Sequence, residues 1–417
     1  MRKLLLAGVA LAGAAAYLPT AAQAQSPVFN ETSRPGKLDG AAPGSVQVNI
    51  GGTLFSGILF TSGTGDNGAN QTQNPNLVSY IRLYPNFDYA SPSGIHFGLS
   101  AELRSAGAAQ DKSRSTNTLY WHSAASYVSS DKFGKLEFGT PNDAIDQLGV
   151  GTGDDYGTGG FYSEYGWPNE TNFIAADSYD GDNPHQKIAY ISPVFAGFTF
   201  AVSYQPTAVG LTNSSSLTTD STLSASATNG AASKDRVEVA VQFSHAFGPA
   251  SLKADVGYAT ASISAPALNT NSYNDVSYFN AGAQVNVAGF EVEGSVNTGK
   301  FSAAGNDAGN WGGPSLKGAS DTTAYIVGVG YNAGPYSIGA QYYHLTFDAL
   351  DGANVTGGLG KTARGYGEAL GAGYQVGPGV SVDFDAITDT NKTPATSVAK
   401  STSANGTGIG LGAYWSW

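Results

Sequence analysis

From Val46 onward the chain alternates apolar and polar residues with a period of two. Val46-Gln47-Val48-Asn49-Ile50 is the first such run, and Ile95-His96-Phe97-Gly98-Leu99-Ser100-Ala101-Glu102-Leu103-Arg104 is the clearest. A period of two predicts β-strands with two different faces. The pattern recurs at 198–204, 237–243, 252–258, 290–296, 336–342, 380–384 and 409–417. Tight Gly, Pro and Asn turns join many of these runs: Ser91-Pro92-Ser93-Gly94, Ser130-Asp131-Lys132-Phe133-Gly134, 193–197, Phe247-Gly248-Pro249, Val287-Ala288-Gly289, Asn332-Ala333-Gly334 and Gly377-Pro378-Gly379. Flanked by strands, these are hairpin turns. Long segments rich in Gly, Ser, Thr, Asn and Asp lie between successive hairpins, at 61–76, 206–234, 298–321, 347–362 and 388–405.

Seven hairpins with a first strand near 45–60 and a last near 406–417 give about 16 strands. An even number of antiparallel strands, with short connections at one end and long ones at the other, predicts an all-β transmembrane barrel. Tilted strands of about 9–11 residues suffice to cross a bilayer. The apolar set (Ile95, Phe97, Leu99, Leu252, Val256, Val380, Val382, Phe384) then faces lipid. Arg82, His96, Glu102, Arg104, Lys135, Glu137, Lys253, Asp255, Glu291, Glu293, Asp383 and Asp385 face the interior. A barrel of about 16 strands is too wide for side chains to fill, so its interior holds water. A soluble sandwich would also alternate. The barrel is favoured by aromatics at strand ends (Tyr84, Phe87, Tyr89, Tyr127, Tyr204, Tyr331, Tyr336, Tyr374) and by the terminal stripe Ile409, Leu411, Ala413, Trp415, Trp417.

Composition narrows the classes further. The 417 residues include 56 Gly and 23 Tyr, no Cys, and only 12% charged residues. Without Cys there is no disulfide framework or zinc ribbon. A formal charge of −12 argues against a nucleic-acid partner. Residues 1–24 carry a charged start (Arg2, Lys3), an apolar run at 4–16 and Ala22-Gln23-Ala24, which predicts a cleaved secretory signal. Its removal brings the formal charge to about −14. Residues 25–44, with Pro27, Pro35 and Pro43, form an N-terminal periplasmic extension ahead of the barrel at 45–417.

The hairpin running from Lys187-Ile188-Ala189-Tyr190-Ile191-Ser192-Pro193 through Val194-Phe195-Ala196-Gly197-Phe198 to Tyr204 resembles a recurrent segment of Gram-negative general porins. Gly134-Lys135-Leu136-Glu137-Phe138-Gly139 is similar to the strand that leads into that family's constriction loop, and the aromatic C-terminus fits as well. Family members usually end in Phe rather than Trp417, and many carry Arg where this chain has Thr140-Pro141. The resemblance implies an outer-membrane homotrimer of 16-stranded barrels. Each would be a passive pore for small hydrophilic solutes and ions, inserted by an assembly machinery that reads the terminal Trp415 and Trp417. It also implies that the segment 139–184 folds into the lumen.

That segment is the longest connection, and its charges are all acidic, including Asp143, Asp146, Asp154, Asp155, Glu164 and Glu170. A ring of carboxylates in a narrow pore draws cations and repels anions. The alternatives are solvated surface charges or a structural Ca²⁺ site; no cofactor is predicted. By the resemblance, Arg82, Arg104, Lys135 and Lys187 would face this loop from the wall and set a transverse field. They could instead pair with Glu102 or Glu137 and only order the wall.

Enzymatic motifs fail. Gly63-Thr64-Gly65-Asp66-Asn67-Gly68 matches a dinucleotide fingerprint, but no helix follows it. The five His lack metal-site spacing, and His122 or His344 would be the base in a weak lipase alternative. The expected function is a weakly cation-selective diffusion pore and not an enzyme. Two alternatives remain open: a substrate-selective sugar channel, and a plugged barrel acting as an adhesin or anchor.

Overall fold

The computed structural model describes residues 42–63, 75–105, 119–151, 185–207, 232–264, 273–301, 315, 317–350, 359–393 and 402–417. Among them sixteen antiparallel strands close into one barrel. In chain order these are β1 (Val46–Gly63), β2 (Asn76–Ala90), β3 (His96–Ser105), β4 (Leu119–Ser130), β5 (Gly134–Gly139), β6 (Lys187–Ile191), β7 (Phe198–Thr207) and β8 (Ala232–Phe247). They continue as β9 (Ala250–Ser264), β10 (Val276–Val287), β11 (Phe290–Lys300), β12 (Thr322–Ala333), β13 (Tyr336–Leu350), β14 (Leu359–Gly377), β15 (Val380–Thr393) and β16 (Thr402–Ser416). Among the described residues one short helix, α1 (Ala144–Leu148), follows β5.

Every strand pairs with its neighbours in the chain, and β16 returns to β1 from Thr53↔Ser416 to Gly63↔Gly406. No edge is left, which is what a sheet in hydrocarbon requires. The predicted short turns close the hairpins at one end. Ala196-Gly197 (φ 51 and 87) and Ala288-Gly289 (φ 50 and 84) each place two successive residues in the left-handed region, the primed geometry that matches strand twist.

Strand lengths run from 5 residues in β6 to 19 in β14. On the long-loop side the hairpins extend beyond the minimum needed to cross. β5 and β6 are short because the chain leaves the wall at Gly139 (φ 121) and turns inward. A side chain at Gly139 would lie 2.4 Å from the Ala124 carbonyl, so this pivot needs glycine.

The two faces separate as expected. Phe97, Leu99, Val256, Val382 and Phe384 are exposed outward, while Arg82, Glu102, Glu137, Asp255 and Asp385 are buried within. One patch departs from the polar interior. Phe55, Leu59, Ile326, Tyr343, Leu345, Ile387 and Tyr414 share the inner wall and are buried in one cluster. Phe55 packs on Tyr414 at 4.8 Å between ring centroids, and the hydroxyls of Tyr80 and Tyr414 meet at 2.9 Å. Apolar side chains that cover one another this way do not have to face water singly.

The seam is fastened by the last residue. Trp417 exchanges backbone hydrogen bonds with Gly52 at 3.0 and 3.1 Å, and its indole packs against that glycine. A Cβ at position 52 would sit 2.3 Å from the ring. Gly52→Val should therefore displace Trp417 and cost about 1–3 kcal/mol. The check is the temperature at which the barrel loses its compact mobility on a detergent gel. A lowered transition is expected, and an unchanged one would contradict the packing.

Candidate functional site

The chain from Thr140 to Gly151 lies along the inner wall and crosses successive strands. Thr140 begins it: its Oγ1 accepts the Ala124 N–H at 2.8 Å, and its own N–H donates to the Ala124 carbonyl at 2.9 Å. Five wall strands then bond this segment in turn. Lys187 of β6 places its ammonium 2.7 Å from the Asp143 carboxylate. Ser203 of β7 accepts the Ala144 N–H at 3.1 Å, and Glu238 of β8 accepts the Ile145 N–H at 3.2 Å. Gln242 of β8 donates to the Leu148 carbonyl at 2.8 Å, and Asp255 of β9 accepts the Val150 N–H at 2.9 Å. From β5, Glu137 accepts the side-chain amide of Gln147 at 3.0 Å. A strand of irregular backbone inside a barrel must find partners for its polar groups, and here wall side chains supply them.

Close approach depends on small residues. Ala144, Ile145 and Leu148 pack on Ala201, Ala240 and Ala259. A Cβ at Gly257 would meet Ile145 at 2.7 Å, and one at Gly282 would meet the Val150 carbonyl at 1.9 Å. Beneath α1, Arg236 reaches Glu238 at 2.7 Å and donates to the Tyr278 hydroxyl at 2.9 Å. All three are buried. A buried ionic group persists only when paired and hydrogen-bonded in this way.

Four of the predicted wall cations are each beside a carboxylate, while Lys253 of β9 makes no ion pair among the described residues. Arg104 lies 2.6 Å from Glu102, Arg82 4.0 Å from the same group, and Lys135 2.5 Å from Glu137. Lys187 is with Asp143, and both are buried. Asp146 is buried in α1. Asp154, Asp155, Glu164 and Glu170 fall outside the described residues. Trp415 faces outward on β16, and Trp417 closes the seam. Asp255, Asp383 and Asp385 are buried carboxylates of the inner wall with no cation at ion-pair distance among the described residues.

Sequence reading did not single out Ser203, Arg236, Glu238, Gln242 or Tyr278. One signal for two of them was present. Arg236 and Glu238 stand two apart on one strand, which puts opposite charges on one face, as do Glu102 with Arg104 and Lys135 with Glu137.

This geometry is a closed 16-stranded barrel with a loop root fixed on its inner wall. A family model described as Gram-negative porin matches residues 8–394, and the chain belongs to that family. It is an outer-membrane protein of the channel type. No curated protein matches the chain in sequence. Among solved structures it is similar to the outer membrane channel DcaP of Acinetobacter baumannii, with a TM-score of 0.55 at 14% identity, covering 91% of this chain and 100% of that one. The trimer form of OmpT, an outer membrane protein of Vibrio cholerae, gives a TM-score of 0.53 at 14% identity, covering 89% and 100%. A substituted variant of the Rh. blastica porin gives 0.50 at 16% identity, again covering 89% and 100%. At these identities the likeness is one of fold.

Two outcomes follow from the loop root. Asp143→Ala removes the carboxylate beside the buried Lys187 ammonium, a change that costs about 3–5 kcal/mol. It should raise open-channel current noise, and an unchanged noise spectrum would contradict the clamp. His185 stands before β6, and burial, reinforced by the nearby Lys187, lowers its pKa from 6.5 to about 4. Its neutral form is thus the one that fits. Stability from this group is complete above pH 6.5 and is lost as the pH falls toward 4. Channel noise should grow over that window, and His185→Gln should flatten the growth.

Proposed function

We propose that this porin is a passive diffusion channel for small hydrophilic solutes and ions, with a weak preference for cations. The observation that carries the reading is the charge balance of the inner wall. Arg82, Arg104, Lys135, Lys187 and Arg236 each lie beside a carboxylate, Arg82 and Arg104 sharing Glu102, so most of their positive field is compensated. The segment 152–184 carries carboxylates with no Lys or Arg. A low-dielectric wall around water focuses that negative potential on passing ions. The overall formal charge of −12 has the same sign.

The proposed working form is a homotrimer in the lipid bilayer, delivered by an assembly machinery that reads the outward C-terminal stripe ending in Trp415 and Trp417. No reaction and no cofactor enter the reading. A sugar-selective channel would need exposed rings along the path; among the described residues, Phe55, Tyr343 and Tyr414 of the inner wall are instead buried in their own cluster. Saturable solute binding would reopen that alternative.

The test is the reversal potential of the mature protein in a planar bilayer across a tenfold KCl gradient. A value shifted toward the potassium equilibrium potential is expected. Replacing Asp154 and Asp155 together by Asn should reduce the shift, placing the acidic segment in the ion path. A reversal potential near zero or on the chloride side would overturn the selectivity.

A further inference from the structure

Asp383 and Asp385 stand two apart on β15 and turn to the same side, the inner wall. Asp385 is 0% exposed, and neither of its carboxylate oxygens has a hydrogen-bond partner among the described residues. Asp383 is buried beside it and accepts the Ser381 hydroxyl at 2.8 Å through Oδ2. From β13 round to β1, the described inward-facing residues include no Lys, Arg or His. Ile387 lies two residues along the same face, and Leu59 faces Asp385 across Gly410, so the apolar cluster borders the carboxylates. A sealed carboxylate is strongly disfavoured in such surroundings unless its charge is met on the spot.

The neighbouring strands supply oxygens and leave room for a ligand. At the level of the two carboxylates β14 turns only Ala369, Gly371 and Gly373 inward, and β16 only Gly410 and Gly412. Across β14, on β13, stand Ser337 and Gln341. A Cβ built on Gly373 would lie 2.6 Å from Ser337 Oγ and 2.8 Å from Asp383 Oδ1. Two oxygens from different strands thus converge over a bare glycine. Gln341 is 5% exposed, and its side-chain amide also lacks a hydrogen-bond partner among the described residues. On β14 no side chain larger than a methyl separates it from Asp385. The strands β13 and β15 are about 10 Å apart, a gap that the two side chains span with one ion between them.

We propose that Asp383, Asp385, Gln341 and Ser337 hold one calcium ion on the inner wall. All four offer oxygen, which is what this hard cation takes, at about 2.3–2.6 Å. The two carboxylates balance its charge, and the amide carbonyl and the hydroxyl add neutral donors. Zinc and copper prefer nitrogen or sulfur ligands, and these four groups offer none to coordinate them. Magnesium sheds its water reluctantly, so a sealed site favours calcium over it. The ion ties β13 to β15 across glycine-faced β14 and braces the wall beside the β1–β16 seam. The site stands apart from the loop root on β6 to β9, and the inference does not depend on the ion selectivity of the pore.

The experiment measures calcium binding to the full mature barrel in detergent, by equilibrium dialysis against radioactive calcium after treatment with EDTA. Asp385→Asn should bind one calcium ion fewer per chain than wild type, while ions held elsewhere on the protein stay. In parallel, calcium at about 1 mM should raise the temperature at which wild type loses its compact gel mobility, and the rise should vanish in Asp385→Asn. Equal calcium binding by the two proteins, or a rise that the variant keeps, would overturn the site and leave the carboxylates as neutral acids. If Asp385→Asn does not fold, Gln341→Leu serves, since it keeps both carboxylates. It should weaken binding of this ion about tenfold, and an unchanged affinity would contradict the proposal.

Discussion

The demand that every backbone polar group inside a membrane find a partner within the protein governs this structure. Period-two sequence with hydrophobic residues on one face can meet it only by closing the sheet. The closure depends on β1 and β16, the two strands furthest apart in the chain. Their seam is long, and Trp417 seals its end by laying an indole on Gly52. Bare glycine at position 52 and a large aromatic at the terminus are two halves of one contact.

Closure at sixteen strands creates the next constraint, an interior too wide for wall side chains to fill. The loop root meets it by lying flat on one side of the lumen. Its amide and carbonyl groups bond Ser203, Glu238, Gln242 and Asp255 in order around the wall, and glycines 257 and 282 make room for it. The pairs Lys187–Asp143 and Arg236–Glu238 make that placement costly to leave. The same pairs cancel positive charge that would otherwise face the water.

Much of the architecture was legible in the sequence because it is written locally. Alternation declares a two-faced strand, and turns such as Ala288-Gly289 declare hairpins, so strand number and facing could be read residue by residue. The seat of the loop could not be read that way. Ser203, Glu238 and Asp255 lie far apart in the chain and form a row only after β7, β8 and β9 pair in register. Gly257 and Gly282 have no visible purpose until Ile145 and Val150 arrive over them. The apolar inner cluster around Tyr343 and Tyr414 was missed for a related reason, since strict alternation assigns polarity to a face as a whole. Thr140 marks another limit: where many relatives carry Arg, this hydroxyl stitches the loop to β4.

The central claim is that the barrel, with its loop root fixed to one wall, leaves a continuous water path. Single-channel recording of the purified mature protein in a planar bilayer with symmetric KCl tests it most directly. The account predicts large, ohmic current steps that persist at low voltage. No conductance from a protein shown to be folded by its heat-modifiable gel mobility would contradict it, and would make the barrel a plugged anchor.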